Sequence, residues 1–126
     1  MIRVLIVDDS TTIRAMLEEV LGRENDIVLV GSAADAATAL RLVRTCRPDV
    51  ATLDIAMPGA DGLALLDEIH GKTHAIMLTC HSEAVAESFE KGAFGFFEKS
   101  AILTDSKRLL RMIRAAARGR HTSHAA

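Results

Sequence analysis

The chain has 126 residues, about the size of one domain, and 49% of them are hydrophobic, so it can form a core without disulfides or bound metal. Its formal net charge of −2 excludes a strong overall attraction to nucleic acid. No segment approaches the ~20 apolar residues of a membrane span or resembles a signal peptide, so we expect a cytoplasmic protein that does not bind membranes. Cys46 and Cys80 lack metal-ligand spacing and are expected to be reduced thiols.

Short apolar runs rich in β-branched residues alternate with segments of helical periodicity along the chain. Such runs are typical of strands that are buried on both faces of a sheet. The five predicted strands are Ile2–Val7, Ile27–Val30, Val50–Leu53, Ala75–Leu78 and Phe94–Phe97.

A helix is predicted after each strand. Ser10 and Asp35 are suitable N-caps for the first two helices, and Ser82 opens the fourth. Gly22, Gly71, Gly92 and Gly119 stand where helices should end. This alternation predicts an α/β fold, a doubly wound parallel sheet covered by helices on both faces in a three-layer αβα sandwich.

Polar residues follow the predicted strands at corresponding positions. Asp8 and Asp9 come after the first strand, Asp54 after the third, Thr79 after the fourth and Lys99 after the fifth. In a parallel sheet the carboxyl ends of the strands meet at one edge, where ligands bind. We therefore expect three carboxylates, one hydroxyl and one ammonium group to converge.

This set of groups suits phosphoryl chemistry. Three neighbouring carboxylates repel one another unless a cation lies between them, and Mg²⁺ prefers oxygen ligands while keeping waters that a phosphate can replace. The Lys99 ammonium and the Thr79 hydroxyl suit phosphoryl oxygens. A carboxylate nucleophile can form an acyl phosphate. Asp35 and Asp61, by contrast, are better explained as cap or turn residues.

The motifs together resemble the receiver domain of two-component and phosphorelay response regulators, of which CheY is the type member. They are Val7–Ser10, Leu53–Pro58, Asp61–Gly62, Thr79 and Lys99. The resemblance covers Met1 to Gly119 and implies a CheY-like, flavodoxin-like sheet with strand order 2-1-3-4-5. It makes residues 1–119 a receiver domain and residues 120–126 a flexible tail.

The resemblance also implies roles for individual residues. Asp54 would be the phosphoacceptor, and Thr79 and Lys99 would hold the phosphoryl oxygens. The implied ligands of Mg²⁺, or of Mn²⁺ in its place, are Asp9, Asp54, the backbone carbonyl of Ala56 and, through water, Asp8. The donor would be a phosphohistidine on a histidine kinase or a histidine phosphotransfer protein. The chain would then be a switch and not an enzyme.

Switching in the family involves Thr79 and an aromatic position on the fifth strand, here Phe96, which could also be an ordinary core residue. The helix 4–strand 5–helix 5 face would bind a downstream target or a second copy. Its last helix carries basic residues that could equally form a solvated face: Lys107, Arg108, Arg111, Arg114 and Arg118. Ala56 and His81 occupy positions that flank the phosphate and influence its hydrolysis.

The sequence departs from the family pattern after Lys99, where Ser100 replaces the usual proline with its cis bond. A cis bond before serine would cost roughly 3 kcal/mol. Either the Lys99–Ser100 bond is cis in spite of that cost, or the loop follows another path.

Three alternatives stay open. Val4–Ser10 and Pro48–Val50 also resemble the receiver part of chemotaxis methylesterases, which would make the chain part of a longer regulator. A Mg²⁺-dependent aspartyl phosphatase of the haloacid-dehalogenase type would have two aspartates separated by one residue, whereas Asp8 and Asp9 are adjacent. An interaction module that has lost its switching is the third.

Overall fold

The computed structural model describes residues 1–57, 60–69, 71–80 and 92–119. Its strands are β1 (Ile2–Val7), β2 (Ile27–Ala33), β3 (Val50–Asp54), β4 (Ala56–Met57), β5 (Ala60–Asp61), β6 (His74–Thr79) and β7 (Gly95–Glu98). Five of them form a parallel sheet in the order β2-β1-β3-β6-β7, which confirms the predicted order. The short strands β4 and β5 pair with each other in antiparallel orientation.

The helices of the described residues are α1 (Thr11–Gly22), α2 (Ala36–Cys46), α3 (Gly62–Ile69) and α4 (Ser106–Ala117). Both predicted N-caps form, because Ser10 Oγ accepts from Ile13 N at 3.2 Å and Asp35 Oδ1 accepts from Thr38 N at 2.8 Å. The helix predicted to open at Ser82 and the predicted tail, residues 120–126, lie outside the described residues.

The second strand is longer than its apolar run predicts. The register with β1 passes from Val4 opposite Leu29 to Leu5 opposite Gly31, which leaves Val30 as a bulge. Gly31 and Ser32 have low strand propensity, but pairing with β1 continues the strand through them to Ala33.

Helix ends also differ from the prediction. Gly22 does not provide a left-handed end to α1, because it is the last helical residue and Arg23 caps the helix with φ −83°. Gly119, after α4, does adopt the left-handed conformation, with φ 72°. At the end of α2 this conformation falls on Arg47, with φ 48°.

Hydrophobic side chains fill the space on both faces of the sheet. Alternate residues of β1 point to opposite faces, so that Val4 and Ile6 join one core and Leu5 and Val7 the other. The first core includes apolar residues of α1 and α4, and the second includes those of α2 and α3. Because both faces are covered, the strand ends remain as the place for polar side chains. No helix of the described residues is long and apolar enough to span a membrane.

Candidate functional site

Three carboxylates meet at the carboxyl ends of β1 and β3. Oxygen atoms of Asp8, Asp9 and Asp54 all lie within 4.8 Å of one another. The two strands are direct neighbours, with Val7 opposite Leu53, so the residues that follow them are placed side by side. Asp8 and Asp54 are buried, at 0% and 3% exposure, whereas Asp9 is exposed to solvent.

Lys99 provides the cation of this cluster. Its Nζ lies 2.9 Å from Asp8 Oδ2 and 3.0 Å from Asp54 Oδ1, and only 12% of its side chain is exposed. Burial lowers the pKa of Lys99, but the hydrogen bonds and negative charges of the two aspartates outweigh that effect and hold the pKa above its ordinary value. Lys99 is therefore protonated at neutral pH.

The loop that carries Lys99 follows a path of its own. No peptide bond among the described residues is cis, so the Lys99–Ser100 bond is trans. Lys99 begins a 3₁₀ turn, and Ile102 N donates to Lys99 O at 3.3 Å. The turn places the ammonium group beside the two aspartates without a cis bond. Of the two possibilities considered from the sequence, the loop therefore follows another path and has no cis bond before Ser100.

Each polar group of Asp8 has a hydrogen-bond or ion-pair partner. Its N–H donates to Ala33 O at 3.0 Å, and its Oδ1 accepts from Ser10 N at 2.8 Å. Its carbonyl oxygen accepts from the Arg14 guanidinium at 2.7 Å, and its Oδ2 faces Lys99. Asp8 is thus engaged by the protein itself, in keeping with the indirect metal role that the resemblance implies.

Thr79 and Phe96 lie on the neighbouring strands. Asp54 of β3 pairs with Leu78 of β6. Thr79, the next residue after Leu78, is buried at the end of β6. Phe96 of β7 is in register with Met77, is half-buried and packs against the core that α2 and α3 cover.

The two positions expected to tune hydrolysis are less fully described. Ala56 lies in β4, two residues after Asp54. His81 lies outside the described residues.

Sequence reasoning missed two residues of the site. Arg14 binds the Asp8 carbonyl from the first turns of α1, and no pattern in the sequence distinguishes it from other surface arginines. Gly62 was included in the Asp61–Gly62 motif without a role, yet its backbone lies against that of Asp54.

The donor set fits a divalent cation. Hard oxygen ligands from Asp8, Asp9 and Asp54 converge, and the single positive charge of Lys99 offsets only one of their three negative charges. The remaining charge and the oxygen ligands suit Mg²⁺, which is usually bound by one or two carboxylates together with waters and phosphate oxygens.

Comparison with known proteins agrees with this geometry. Residues 4–114 match the family described as the response regulator receiver domain. Over 94% of its length, the chain is 38% identical to protein-glutamate methylesterase/protein-glutamine glutaminase 3 of Rhodopseudomonas palustris (strain BisB18). Over 78% of its length, it is 39% identical to protein-glutamate methylesterase/protein-glutamine glutaminase 2 of Koribacter versatilis (strain Ellin345). It spans only 36% and 29% of those relatives.

Solved structures share the fold. The response regulator domain of Thermotoga maritima CheB has a TM-score of 0.88 and 32% identity, covering 94% of this chain and 97% of that one. The receiver domain of the putative response regulator NarL from Mycobacterium tuberculosis has a TM-score of 0.82 and 32% identity, covering 94% and 98%. The resemblance predicted from the motifs is confirmed.

Proposed function

Since the chain belongs to the response regulator receiver family, whose members are signalling switches, we propose that it signals by accepting a phosphoryl group on Asp54. The observation that carries this proposal is the ion pair of buried Asp54 with Lys99 inside a cluster of three carboxylates. The family match favours this function over the aspartyl phosphatase considered from the sequence.

In the proposed step, a carboxylate oxygen of Asp54 attacks the phosphorus of a phosphohistidine on a histidine kinase or a histidine phosphotransfer protein. The new P–O bond forms as the P–N bond breaks, and the imidazole nitrogen keeps the electron pair. Lys99 already lies at 3.0 Å from Asp54, so its charge is in place before the phosphoryl group arrives. Thr79, at the adjoining strand end, would hold a second phosphoryl oxygen.

We assign the metal ligands to Asp9, Asp54, the backbone carbonyl of Ala56 and, through water, Asp8. Bound Mg²⁺, or Mn²⁺ in its place, would neutralise the charge on the phosphoryl oxygens. Asp9 is suited to direct binding because it is exposed, whereas the carboxylate of Asp8 already contacts Ser10 N and Lys99 Nζ.

The signal would leave the site through Thr79 and Phe96 to the face formed by the fourth predicted helix, β7 and α4. The guanidinium of Arg108 lies 4.3 Å from the ring centroid of Phe97, the neighbour of Phe96, which connects β7 with α4. A downstream protein or a second copy of the chain would bind this face. Lys107 and Arg111 are its exposed cations on α4, and exposed Arg118 follows as the C-cap of that helix.

The relatives suggest a setting for the switch. Several are methylesterases and glutaminases of which this chain spans about a third, so the receiver, proposed as residues 1–119 with residues 120–126 as a tail, could control such an activity within a longer regulator. By itself the receiver would catalyse only its own phosphorylation and dephosphorylation. Ala56 and His81 are the residues predicted to influence the rate of dephosphorylation.

Incubation with acetyl phosphate and Mg²⁺, followed by intact mass measurement, tests the assignment of Asp54. We expect one phosphoryl group on the wild type and on Asp67→Asn, which alters an exposed carboxylate of α3. We expect none on Asp54→Asn. Labelling of Asp54→Asn at the wild-type rate would refute the proposal, and the dispersion of the variant's amide NMR spectrum would show whether it has kept its fold.

A further inference from the structure

A pocket lies at the opposite edge of the sheet, near the amino ends of β3 and β6. It has a volume of about 360 Å³ and is lined by Val43, Arg44, Arg47, Lys72 and Thr73. We call it the basic pocket. It shares no residue with the carboxylate cluster, which lies at the carboxyl ends of the strands.

The walls of the basic pocket are tied to each other by hydrogen bonds. The buried Thr73 hydroxyl donates to Pro48 O at 3.1 Å, and Thr73 N donates to Ile69 O at 3.0 Å. His74 N donates to Asp49 O at 3.1 Å. These bonds join the segment after α2 to the segment after α3 and fix the backbone that carries the pocket residues.

Three exposed cations line the pocket, Arg44, Arg47 and Lys72. Within residues 1–57, 60–69, 71–80 and 92–119, no carboxylate forms an ion pair with Arg44, Arg47 or Lys72. Four of the other described cations, Arg23, Lys99, Arg108 and Arg114, are paired with carboxylates. The pocket therefore concentrates positive charge in a protein whose net charge is negative.

Arg47 adds an independent observation. Among the described residues it is the only non-glycine residue with positive φ, at 48°. Glycine is the usual residue in this left-handed position after a helix, because a Cβ is disfavoured there. An arginine is unusual in this conformation, and its side chain lines the pocket.

The negative ends of neighbouring helices offset only part of the positive charge in the basic pocket. α2 and α3 both end near the pocket, and each helix C-terminus carries roughly half a negative charge. Two such ends amount to about one negative charge, against three positive side chains. A surplus of about two positive charges remains for a ligand.

We propose that the basic pocket binds a small ligand with two linked phosphate groups. Arginine forks match phosphate oxygens in pairs, and Lys72 adds a point charge. The volume lies at the lower end of the range for small-molecule sites, roughly 300–1,000 Å³. Val43 offers an apolar wall to whatever group the phosphates carry. This site is independent of phosphorylation at Asp54.

The test is an NMR titration of the labelled chain with inorganic pyrophosphate in Mg²⁺-free buffer. We expect saturable shifts of the amides around Arg47 and Thr73. Arg47→Gly and Lys72→Gln should each weaken binding by about tenfold or more, the effect of one charge-assisted hydrogen bond. Arg47→Gly is the sharper variant, because it removes the cation and relieves the backbone, so its melting temperature should not fall.

Arg41→Gln is the matched control, since Arg41 is an exposed arginine of α2 that does not line the pocket. It should bind pyrophosphate like the wild type. The proposal is overturned if no saturable shift occurs at millimolar pyrophosphate, or if the shifts fall at Lys99 instead. Equal affinities of Arg47→Gly and Arg41→Gln would also overturn it and leave the cations with a role at the helix ends alone.

Discussion

The backbone of Gly62 lies directly against the backbone of Asp54. A Cβ placed on Gly62 would overlap the Asp54 carbonyl oxygen, and Gly62 N donates to Ile55 O at 3.0 Å. The first residue of α3 thus sets the path of the chain just after the proposed phosphoacceptor. Only glycine allows this approach, because any side chain would have to displace main-chain atoms.

We predict that Gly62→Ala lowers the unfolding free energy by about 1–3 kcal/mol, as overpacking of a close contact does. Phosphorylation by acetyl phosphate should slow by more than tenfold, because Asp54 must move away from Lys99. Gly22→Ala is the control: nothing lies within 4 Å of its added Cβ. Gly22→Ala should raise the unfolding free energy by about 0.5–1 kcal/mol and should be phosphorylated at the wild-type rate. Similar results for the two variants in urea unfolding would contradict the prediction.

Lys99→Met should raise the affinity for Mg²⁺ and lower the rate of phosphorylation. Asp8 and Asp54 lose their shared cation, so Mg²⁺ should bind about tenfold more tightly, because it no longer meets the charge of Lys99. Phosphorylation should slow by about 10²–10³-fold, because a positioned positive charge is lost. Calorimetric Mg²⁺ titration and phosphorylation rates check the two effects, and weaker Mg²⁺ binding would contradict this account.

Arg14→Gln should cost more stability than its position on a helix surface suggests. The guanidinium donates to the Asp8 carbonyl at 2.7 Å in a partly buried setting, and such charge-assisted bonds are worth about 1.5–3 kcal/mol. Arg23→Gln removes an exposed i,i+4 pair with Glu19, which is worth about 0.3–0.5 kcal/mol. Urea unfolding of both variants gives the comparison. Equal losses would mean that the Asp8 turn does not depend on Arg14.

Acid should weaken the bridge between Asp26 and Arg114. The guanidinium of Arg114, bonded at 2.8 and 2.9 Å, holds the pKa of Asp26 below its ordinary value of 3.8. The resulting stability is present above pH 3.8 and is lost as the pH falls through the lower pKa of the folded state. The stability difference between the wild type and Arg114→Gln should therefore shrink below about pH 4. A difference that stays constant from pH 7 to pH 3 would count against this linkage.

The order of the strands in the main sheet and the clustering of the site residues could be predicted from the sequence. Apolar runs and helical periodicity are local properties, and they marked each strand of the main sheet to within a few residues. Asp8, Asp9, Asp54 and Lys99 could be assigned to one place because parallel strands end at the same edge. That geometric rule needs no knowledge of side-chain contacts.

Only the tertiary structure decided which groups touch. Strand register and helix packing bring together residues far apart in the chain, as in the bridge from Arg114 to Asp26 across 88 positions. The same is true of the Lys99 contacts, the closeness of Gly62 to Asp54 and the gathering of cations in the basic pocket. Local sequence carries the propensity of each segment, whereas these contacts arise from how segments pack. Packing can override propensity, as it does where pairing with β1 continues β2 through Gly31 and Ser32.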